Sequence, residues 1–212
     1  MTTFVQPDDL TAKARIRDCA LGLFAAQGID GTSVRSVASR AGVSAALVIH
    51  HYRTKQGLVE AVDSWVGSTV EGIIFKALSE IPADVGPGEM VQAITEATGQ
   101  AVVNLMVGFP AARDYLGRSL LENRPGAARL LDTILDLIES QLDLLEAAGL
   151  VRADTDRVFR AQCVCFILLG PVLLARQLET RLGNSPFDPA WLNGLAATNE
   201  DILRRGLYVA TG

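Results

Sequence analysis

The stretch "SVRSVASRAGVSAALVIHHYRTK", residues 33–55, decides how the amino-terminal part of this chain folds. Apolar residues recur at helical spacing up to Ala41, and a second helical pattern begins at Ser44. Gly42 lies between the two patterns, and a glycine readily takes the positive φ that reverses a chain in a short turn. The stretch therefore predicts two short helices joined by a tight turn.

The two predicted helices carry apolar stripes that are able to pack on each other. Ala38 in the first stripe is small, which lets two steeply crossing helices approach closely. Gly42 follows four residues later and Val48 ten residues later. A small residue, a glycine and a β-branched residue at this spacing are typical of a helix-turn-helix, whose second helix enters the DNA major groove. The first stripe consists of Val34, Val37, Ala38 and Ala41.

The outer face of the second helix carries small and apolar side chains that suit DNA. Ala45 and Ala46 let the helix backbone press against base edges, and Ile49 suits a thymine methyl group. His50 is able to donate to a phosphate or to a guanine acceptor. Ser44 is expected to cap the helix, and the first amides of that helix could meet a phosphate. Three flanking cations would add sequence-independent attraction, namely Arg35, Arg53 and Lys55.

Spacing alone also fits two surface helices of a bundle, with Ile49 buried by another helix. The charge distribution favours a local contact with a polyanion. Residues 1–60 carry a net charge of +2 and the remainder −7, within a chain of net charge −5. An acidic chain is not expected to coat nucleic acid indiscriminately, whereas a mild basic pole suits one local contact.

The whole chain is predicted to be all-α. Apolar residues make up 49% of the composition and aromatic residues only 6%, which favours packed helices over a sheet. Residues 81–89, "IPADVGPGE", form the one clear linker because prolines and glycines do not suit a helix interior. Periodicity and its punctuation divide the chain into about nine helices, over about 11–27, 33–40, 44–52, 55–80, 89–107, 110–122, 127–148, 155–182 and 188–208.

Three features of the sequence suggest a cytoplasmic protein without a membrane span. The start, "MTTFVQPDDL", lacks a basic end followed by an apolar stretch, so we expect no secretory signal. The longest apolar run, Ala161–Ala175, is shorter than the roughly 20 residues of a membrane span, and we interpret it as a buried core helix. Cys163 and Cys165 are not a disulfide framework, and a buried structural pair is favoured over a metal site or an oxidant sensor.

Pro171 lies inside the predicted eighth helix, directly after Gly170. Proline removes a backbone hydrogen bond and bends a helix axis. The bend is expected to be accommodated in the core, and the alternative is that it shapes a pocket or a dimer surface.

Ordered matches across residues 11–62 resemble the DNA-binding domain of the TetR family of bacterial transcriptional regulators. In this chain the family pattern reads Gly31, Thr32-Ser33, Val37-Ala38, Ala41-Gly42-Val43-Ser44, His51-Tyr52 and Thr54-Lys55. The resemblance implies that Ser33, Ser44 and Lys55 contact the DNA backbone. It also implies that bases are faced by Ala45, Ala46, Ile49 and His50. The chain differs from the common family residues at Ile49, where a Tyr is frequent, at Ala45, where Lys or Pro is frequent, and at Ala46, where Gly is frequent.

The resemblance further implies a DNA-binding domain over 1–55 and a ligand-binding and dimerisation domain over 56–212. A homodimer would form through the last two helices and place its two DNA-binding domains on a near-palindromic operator. The residues expected at that interface are Phe159, Leu173, Leu178, Trp191, Leu195, Ile202 and Leu203. A small apolar or amphipathic effector would bind in the body and release a repressor from DNA. Candidate cavity residues, which would equally suit a filled core, are Met106, Phe109, Tyr115 and Phe166.

Two other classes of function compete with this hypothesis. An enzyme is not indicated, because the chain has no phosphate-binding Gly-rich loop with Lys, no His-Glu-x-x-His pair and no Ser flanked by glycines as in hydrolases. No cofactor is indicated either. The remaining alternative is a helical small-molecule-binding protein without a DNA-binding role, which the residue at Ile49 keeps open.

Overall fold

The computed structural model describes residues 7–82, 84–152 and 156–206, and these residues form ten helices. The all-α prediction is confirmed. The helices are α1 Pro7–Gln27, α2 Val34–Ala41, α3 Ala45–Tyr52, α4 Lys55–Ser79, α5 Pro87–Gly108, α6 Pro110–Leu121, α7 Pro125–Ala147, α8 Arg157–Leu173, α9 Ala175–Leu182 and α10 Pro189–Gly206. The predicted helix start at Thr155 and helix end at Tyr208 lie outside the described residues.

One predicted helix is two helices in the structure, which accounts for ten rather than nine. The predicted segment 155–182 breaks at Leu174, where α8 and α9 meet at an angle of 65°. Leu174 has φ −102° and ψ 15°, outside the α-helical range, although its N–H still donates to the Gly170 carbonyl at 2.9 Å. The bend therefore follows Pro171, which is itself buried inside α8.

The chain divides into two compact units. The first comprises the described residues up to Ser68 together with Ala111–Ala127, and the second comprises the described residues of Thr69–Pro110 and those from Ala128 onward. The first unit thus extends beyond residue 55, the predicted end of the DNA-binding domain.

The core of the first unit collects apolar residues from several helices of that unit. Fully buried side chains include Ile16 and Phe24 of α1, Val37 of α2, Val48 of α3 and Leu58 of α4. Burial of such side chains stabilises the fold by about 1.5–3 kcal/mol each relative to exposure. The stripe predicted for α2 is confirmed at its centre, because Val37, Ala38 and Ala41 are buried and Val34 is half-buried.

Polar contacts attach α6 to the rest of the first unit. The Tyr115 hydroxyl donates to Asp63 Oδ1 at 2.6 Å, and the Arg118 guanidinium donates to the carbonyls of Ala25 and Ala26 at 3.2 and 3.3 Å. The last carbonyls of a helix have no partner within it, so Arg118 satisfies two of those at the end of α1. Burial, followed by the hydrogen bond to Asp63, raises the pKa of Tyr115 well above its ordinary range.

Two apolar clusters are formed by described residues of the second unit. The cluster that we name cluster A consists of Leu142, Leu145, Leu150, Val151 and Ala161. The cluster that we name cluster B consists of Met106, Val172 and Leu192. Beside cluster A, the buried Arg160 of α8 donates to Glu146 Oε2 at 2.5 Å and to the Arg152 carbonyl at 2.8 Å.

The apolar helix α8 has one covered face and one exposed face. Cys165 is buried and Cys163 is exposed, so the prediction of a buried pair is wrong for Cys163. The reason is geometric, because residues two apart on a helix point in nearly opposite directions. Burial raises the pKa of the Cys165 thiol. Among the described helices, none alone is long and apolar enough to cross a membrane, and only the bent pair α8 and α9 passes that test when joined.

Candidate DNA-binding surface and ligand cavity

The helices α2 and α3 begin at serine caps. Ser33 Oγ accepts from the Ser36 N–H at 3.0 Å, and the Ser36 hydroxyl oxygen in turn accepts from the Ser33 N–H at 3.0 Å. Ser44 Oγ accepts from the Leu47 N–H at 3.1 Å. Each cap of this kind stabilises a helix by about 1 kcal/mol. The caps fix where both helices begin, and they leave Ser33 and Ser44 exposed.

The turn between α2 and α3 has the geometry that the sequence predicts. Gly42 has φ 67° and ψ 35°, the left-handed conformation in which glycine carries no steric penalty. The Val43 N–H donates to the Ala38 carbonyl at 3.0 Å and closes the turn. This turn sets the direction of α3 relative to α2.

The outer face of α3 is exposed. Val48 is 1% exposed and faces the core, whereas the next residue, Ile49, is 42% exposed. Ala46 and His50 are also exposed, as are Arg35 and Arg53, while Ala45 and Lys55 are half-buried. The structure therefore brings the predicted contact residues of α3 to one accessible face, and no helix among the described residues covers Ile49. Their contact with DNA remains a prediction.

Tyr52 anchors the end of α3 to α1. Its hydroxyl donates to the Lys13 carbonyl at 2.6 Å, and the Lys13 Nζ lies 5.8 Å from the centre of its ring. Burial raises the pKa of Tyr52 to about 12. The sequence pattern places Tyr52 at the border of the α3 face. Its hydrogen bond to α1 does not follow from that pattern, because the two residues are 39 positions apart in the chain.

A tight turn connects α3 to α4. Arg53 has φ 64° and ψ −52°, and the Thr54 N–H donates to the Tyr52 carbonyl at 2.7 Å, which together define a γ-turn. Such a conformation is strained for a residue with a side chain. Gly57 lies so close that a Cβ there would be 2.2 Å from the Tyr52 carbonyl oxygen. The turn places Arg53 directly after α3 and Lys55 at the start of α4.

The second unit contains a cavity of about 140 Å³ between α4, α5, α7, α8 and α10. Its wall is mainly aliphatic, and Met106 and Pro171 are part of it. Polar side chains also line it, and they are Thr95, Thr98, Gln141, Asn199 and Glu200. Sequence reasoning missed these five residues because each stands on an amphipathic helix where a polar residue is ordinarily assigned to solvent.

Of the four residues predicted to line a ligand cavity, only Met106 does so. Tyr115 is buried in the first unit, bonded to Asp63. Phe109 follows the end of α5, where its N–H donates to the Leu105 carbonyl. Phe166 is 67% exposed, because the side of α8 that faces the cavity carries Val164, Ile167 and Leu168.

The predicted dimer residues divide into three groups. Phe159 and Ile202 are exposed, whereas Leu195 and Leu203 line the cavity and Trp191 packs against cluster B. Leu173 and Leu178 are half-buried. The exposed apolar surface of α8 consists of Val158, Phe159 and Phe166, with Leu174 at its end.

The capped helix pair, its glycine turn and the exposed face of α3 define a helix-turn-helix DNA-binding domain. Residues 16–62 match the model of the family described as "Bacterial regulatory proteins, tetR family". The chain is 33% identical over 171 residues to the HTH-type transcriptional regulatory protein RaaS of Mycobacterium tuberculosis, covering 81% of this chain and 74% of that protein. It is 31% identical over 130 residues to the HTH-type transcriptional repressor Rv3405c of Mycobacterium tuberculosis, covering 61% of this chain and 62% of that protein.

A solved structure shares the fold across nearly the whole chain. The crystal structure of a TetR transcriptional regulator from Chloroflexus aurantiacus matches with a TM-score of 0.73 and 16% identity, covering 97% of this chain and 100% of that one. The chain belongs to the TetR family of bacterial transcriptional regulators.

Proposed function

We propose that this regulator is a repressor that binds a near-palindromic operator as a homodimer and is released from DNA by a small molecule. The proposal rests on the exposed outer face of α3. Ala46, Ile49 and His50 are accessible on that face, and Val48 is buried on the opposite side. Small and apolar side chains on a helix suit close contact with base edges and thymine methyl groups. The protein acts on DNA in the cytoplasm.

Within this proposal the residues have separate roles. Ala45, Ala46, Ile49 and His50 face bases, and the remaining contacts are with the DNA backbone. Backbone contacts fix the position of the helix and carry no sequence information themselves. The backbone set consists of Ser33, Arg35, Ser44, Arg53 and Lys55.

The dimer forms through α8 and α10. Phe159 and Phe166 on α8 and Ile202 on α10 are each more than half exposed in the single chain, at 66%, 67% and 56%. Large apolar side chains exposed in this number are typical of a surface that another chain covers. The two DNA-binding domains, about 34–36 Å apart, then meet successive major grooves. The two-fold symmetry of the dimer gives the operator its near-palindromic symmetry.

The cavity of the second unit binds the effector. One conformation of the dimer has its two DNA-binding domains at a spacing that does not match the operator. A ligand that binds this conformation more tightly lowers the affinity for DNA by the ratio of its affinities for the two conformations. A ligand present at about 100 times its dissociation constant shifts that balance by about 2.7 kcal/mol. Repression is then relieved.

The test is a gel-shift titration with DNA from beside the protein's own gene at several salt concentrations. The proposal predicts that DNA binding weakens steeply as the salt concentration rises. Binding of the protein releases cations from the phosphates, and this release is less favourable at high salt. Footprinting of the complex then gives the operator and its symmetry. A small-molecule binder without a DNA-binding role would show no salt-dependent retention of that DNA, and this outcome would overturn the proposal.

A further inference from the structure

The cavity of the second unit lies between the two apolar clusters. The helix α5 packs Ile94 against cluster A and contributes Met106 to cluster B. The helix α10 is antiparallel to α5, because it contributes Leu192 to cluster B and packs Leu203 against cluster A. Ile94, Met106, Leu192 and Leu203 all line the cavity as well. The cavity therefore has an end near cluster A and an end near cluster B.

The middle of the cavity is marked by a close approach of α5 and α10. A Cβ added at Gly99 of α5 would lie 3.9 Å from the Cβ of Ala196 in α10. From this level toward cluster A, the next cavity residues on α5 are Thr98 and Thr95. The corresponding residues on α10 are Asn199 and Glu200.

A third helix adds a polar group at the same end. Gln141 of α7 lines the cavity directly before Leu142, a member of cluster A. Toward cluster B the wall is aliphatic, with Val102 and Val103 of α5 and Leu195 of α10. The cavity is thus amphipathic along its length, with its polar side chains gathered in the half near cluster A.

The polar end is rich in hydrogen-bond acceptors. The Glu200 carboxylate only accepts when ionised, and the Asn199 and Gln141 amides each contribute an accepting oxygen beside an NH2 group that donates. The Thr95 hydroxyl already donates to the Val91 carbonyl at 2.7 Å, so that its lone pairs remain for a ligand donor. A ligand group that donates a hydrogen bond fits this end, and a carboxylate is opposed by the charge of Glu200.

Resting on the proposed role of the cavity as the effector site, we propose that the effector is a small aliphatic molecule with a hydrogen-bond donor, a hydroxyl or an amine, at one end. Its aliphatic body lies among the side chains near cluster B, and its donor group meets the acceptors near cluster A. The volume of about 140 Å³ is close to that of an engineered cavity, about 150 Å³, that binds benzene in another protein. A short aliphatic chain matches that size.

The experiment measures binding of three probes of equal chain length to the full chain by isothermal titration calorimetry at neutral pH. The probes are octanol, octylammonium and octanoate, which share the aliphatic body and differ in the head group. The expected result is that octanol or octylammonium binds at least about tenfold more tightly than octanoate, the size of effect that one well-placed polar contact gives. Comparison of octanol with octylammonium shows which donor the site takes.

Two variants locate the head group. Glu200→Gln removes the carboxylate charge while keeping the shape, and we expect the discrimination against octanoate to fall severalfold. The matched control is Glu179→Gln on the exposed surface of α9, away from the cavity wall, which should leave all three affinities unchanged. Gly99→Leu should abolish binding of every probe by filling the middle of the cavity, and Gly99→Ala, whose Cβ meets Ala196 at an ordinary contact distance, should bind normally.

Binding of octanoate as tight as that of both other probes, or no binding of any probe, overturns the assignment. Either result is independent of the proposed function, because binding of DNA from beside the gene is measured separately in the gel shift. A chain that binds its DNA and prefers octanoate would remain a regulator with a different class of effector. A chain that prefers octanol but does not bind DNA would contradict the proposed function alone.

Discussion

The hydroxyl of Tyr52 at the end of α3 donates a hydrogen bond to the backbone carbonyl of Lys13 in α1, with 2.6 Å between the two oxygens. This contact ties the helix that faces DNA to the first helix of the chain. Its strength depends on the protonation of the phenol, because a phenolate has no proton to donate.

Tyr52→Phe should lower the free energy of unfolding by about 1 kcal/mol at neutral pH, because it leaves the Lys13 carbonyl without its donor. In the parent protein the buried Tyr52, with its pKa raised from 10.0 to about 12, adds stability that is fully present below pH 10. That stability is lost as the pH rises through about 12, at about 1.4 kcal/mol per pH unit, because the unfolded chain loses the proton first. Urea unfolding at several alkaline pH values measures the loss, which should be less steep in the Phe variant, where Tyr115, whose pKa is also raised, still contributes. Equal pH dependence in both proteins would contradict this role of Tyr52.

Gly57→Ala should destabilise the first unit by more than about 2 kcal/mol. The added Cβ would lie 2.2 Å from the backbone oxygen of Tyr52, and backbone cannot move aside as a flexible side chain does. The matched control is Gly67→Ala, also within α4, where a Cβ meets nothing within 4 Å. The control should gain about 0.5–1 kcal/mol from helix propensity. Thermal unfolding measures both, and similar melting temperatures for the two variants would show that the turn tolerates a side chain.

Arg160→Gln should cost about 2–4 kcal/mol of stability in the second unit. Arg160 is 5% exposed and pairs with Glu146 at 2.5 Å, so its removal leaves a partly buried carboxylate without its cation. Arg157→Gln is the control one turn earlier, where Arg157 pairs with Asp143 and both side chains are well exposed. An exposed pair contributes at most about 1 kcal/mol. Chemical denaturation compares the two variants, and an equal loss would mean that burial of Arg160 is energetically unimportant.

Phe166→Glu should convert the proposed dimer to a monomer. The change places a charge on the exposed apolar surface of α8, where burial against a second chain would then be unfavourable. Phe75→Glu is the control, since Phe75 on α4 is even more exposed, at 75%, and is outside the proposed interface. Light scattering after size-exclusion chromatography gives the mass of each variant. A Phe166→Glu protein that remains dimeric would place the interface elsewhere.

Much of the first unit follows from local sequence patterns. Ala38, Gly42 and Val48 define the helix pair by spacing alone, and the serine caps follow from residue type. The position of Ala46 and Ile49 on the face opposite Val48 follows from helical periodicity, and the structure shows that this face is exposed. These features depend on contacts within about twenty residues of chain, which is the range that such patterns report.

The rest depends on contacts between distant parts of the chain. Tyr115 suits a ligand cavity by residue type, yet its partner is Asp63, 52 residues away. Phe166 and Ile167 are adjacent and apolar, and only the packing of α8 decides that Ile167 faces the cavity while Phe166 is exposed. The proline at 171 predicts a bend, but the position of the break at Leu174 is set by its own backbone conformation.

Contact between the outer face of α3 and base pairs is tested by one comparison of DNA affinities. Ala46→Glu places a carboxylate on that face, and Ala147→Glu places the same group on the exposed end of α7 in the second unit. Fluorescence anisotropy with the DNA from beside the gene gives both affinities, after melting curves confirm that both variants fold. We predict that Ala46→Glu binds at least about tenfold more weakly than the parent, a loss of about 1.4 kcal/mol, while Ala147→Glu binds as the parent does. Parent-like affinity of a folded Ala46→Glu protein would show that the outer face of α3 does not contact base pairs.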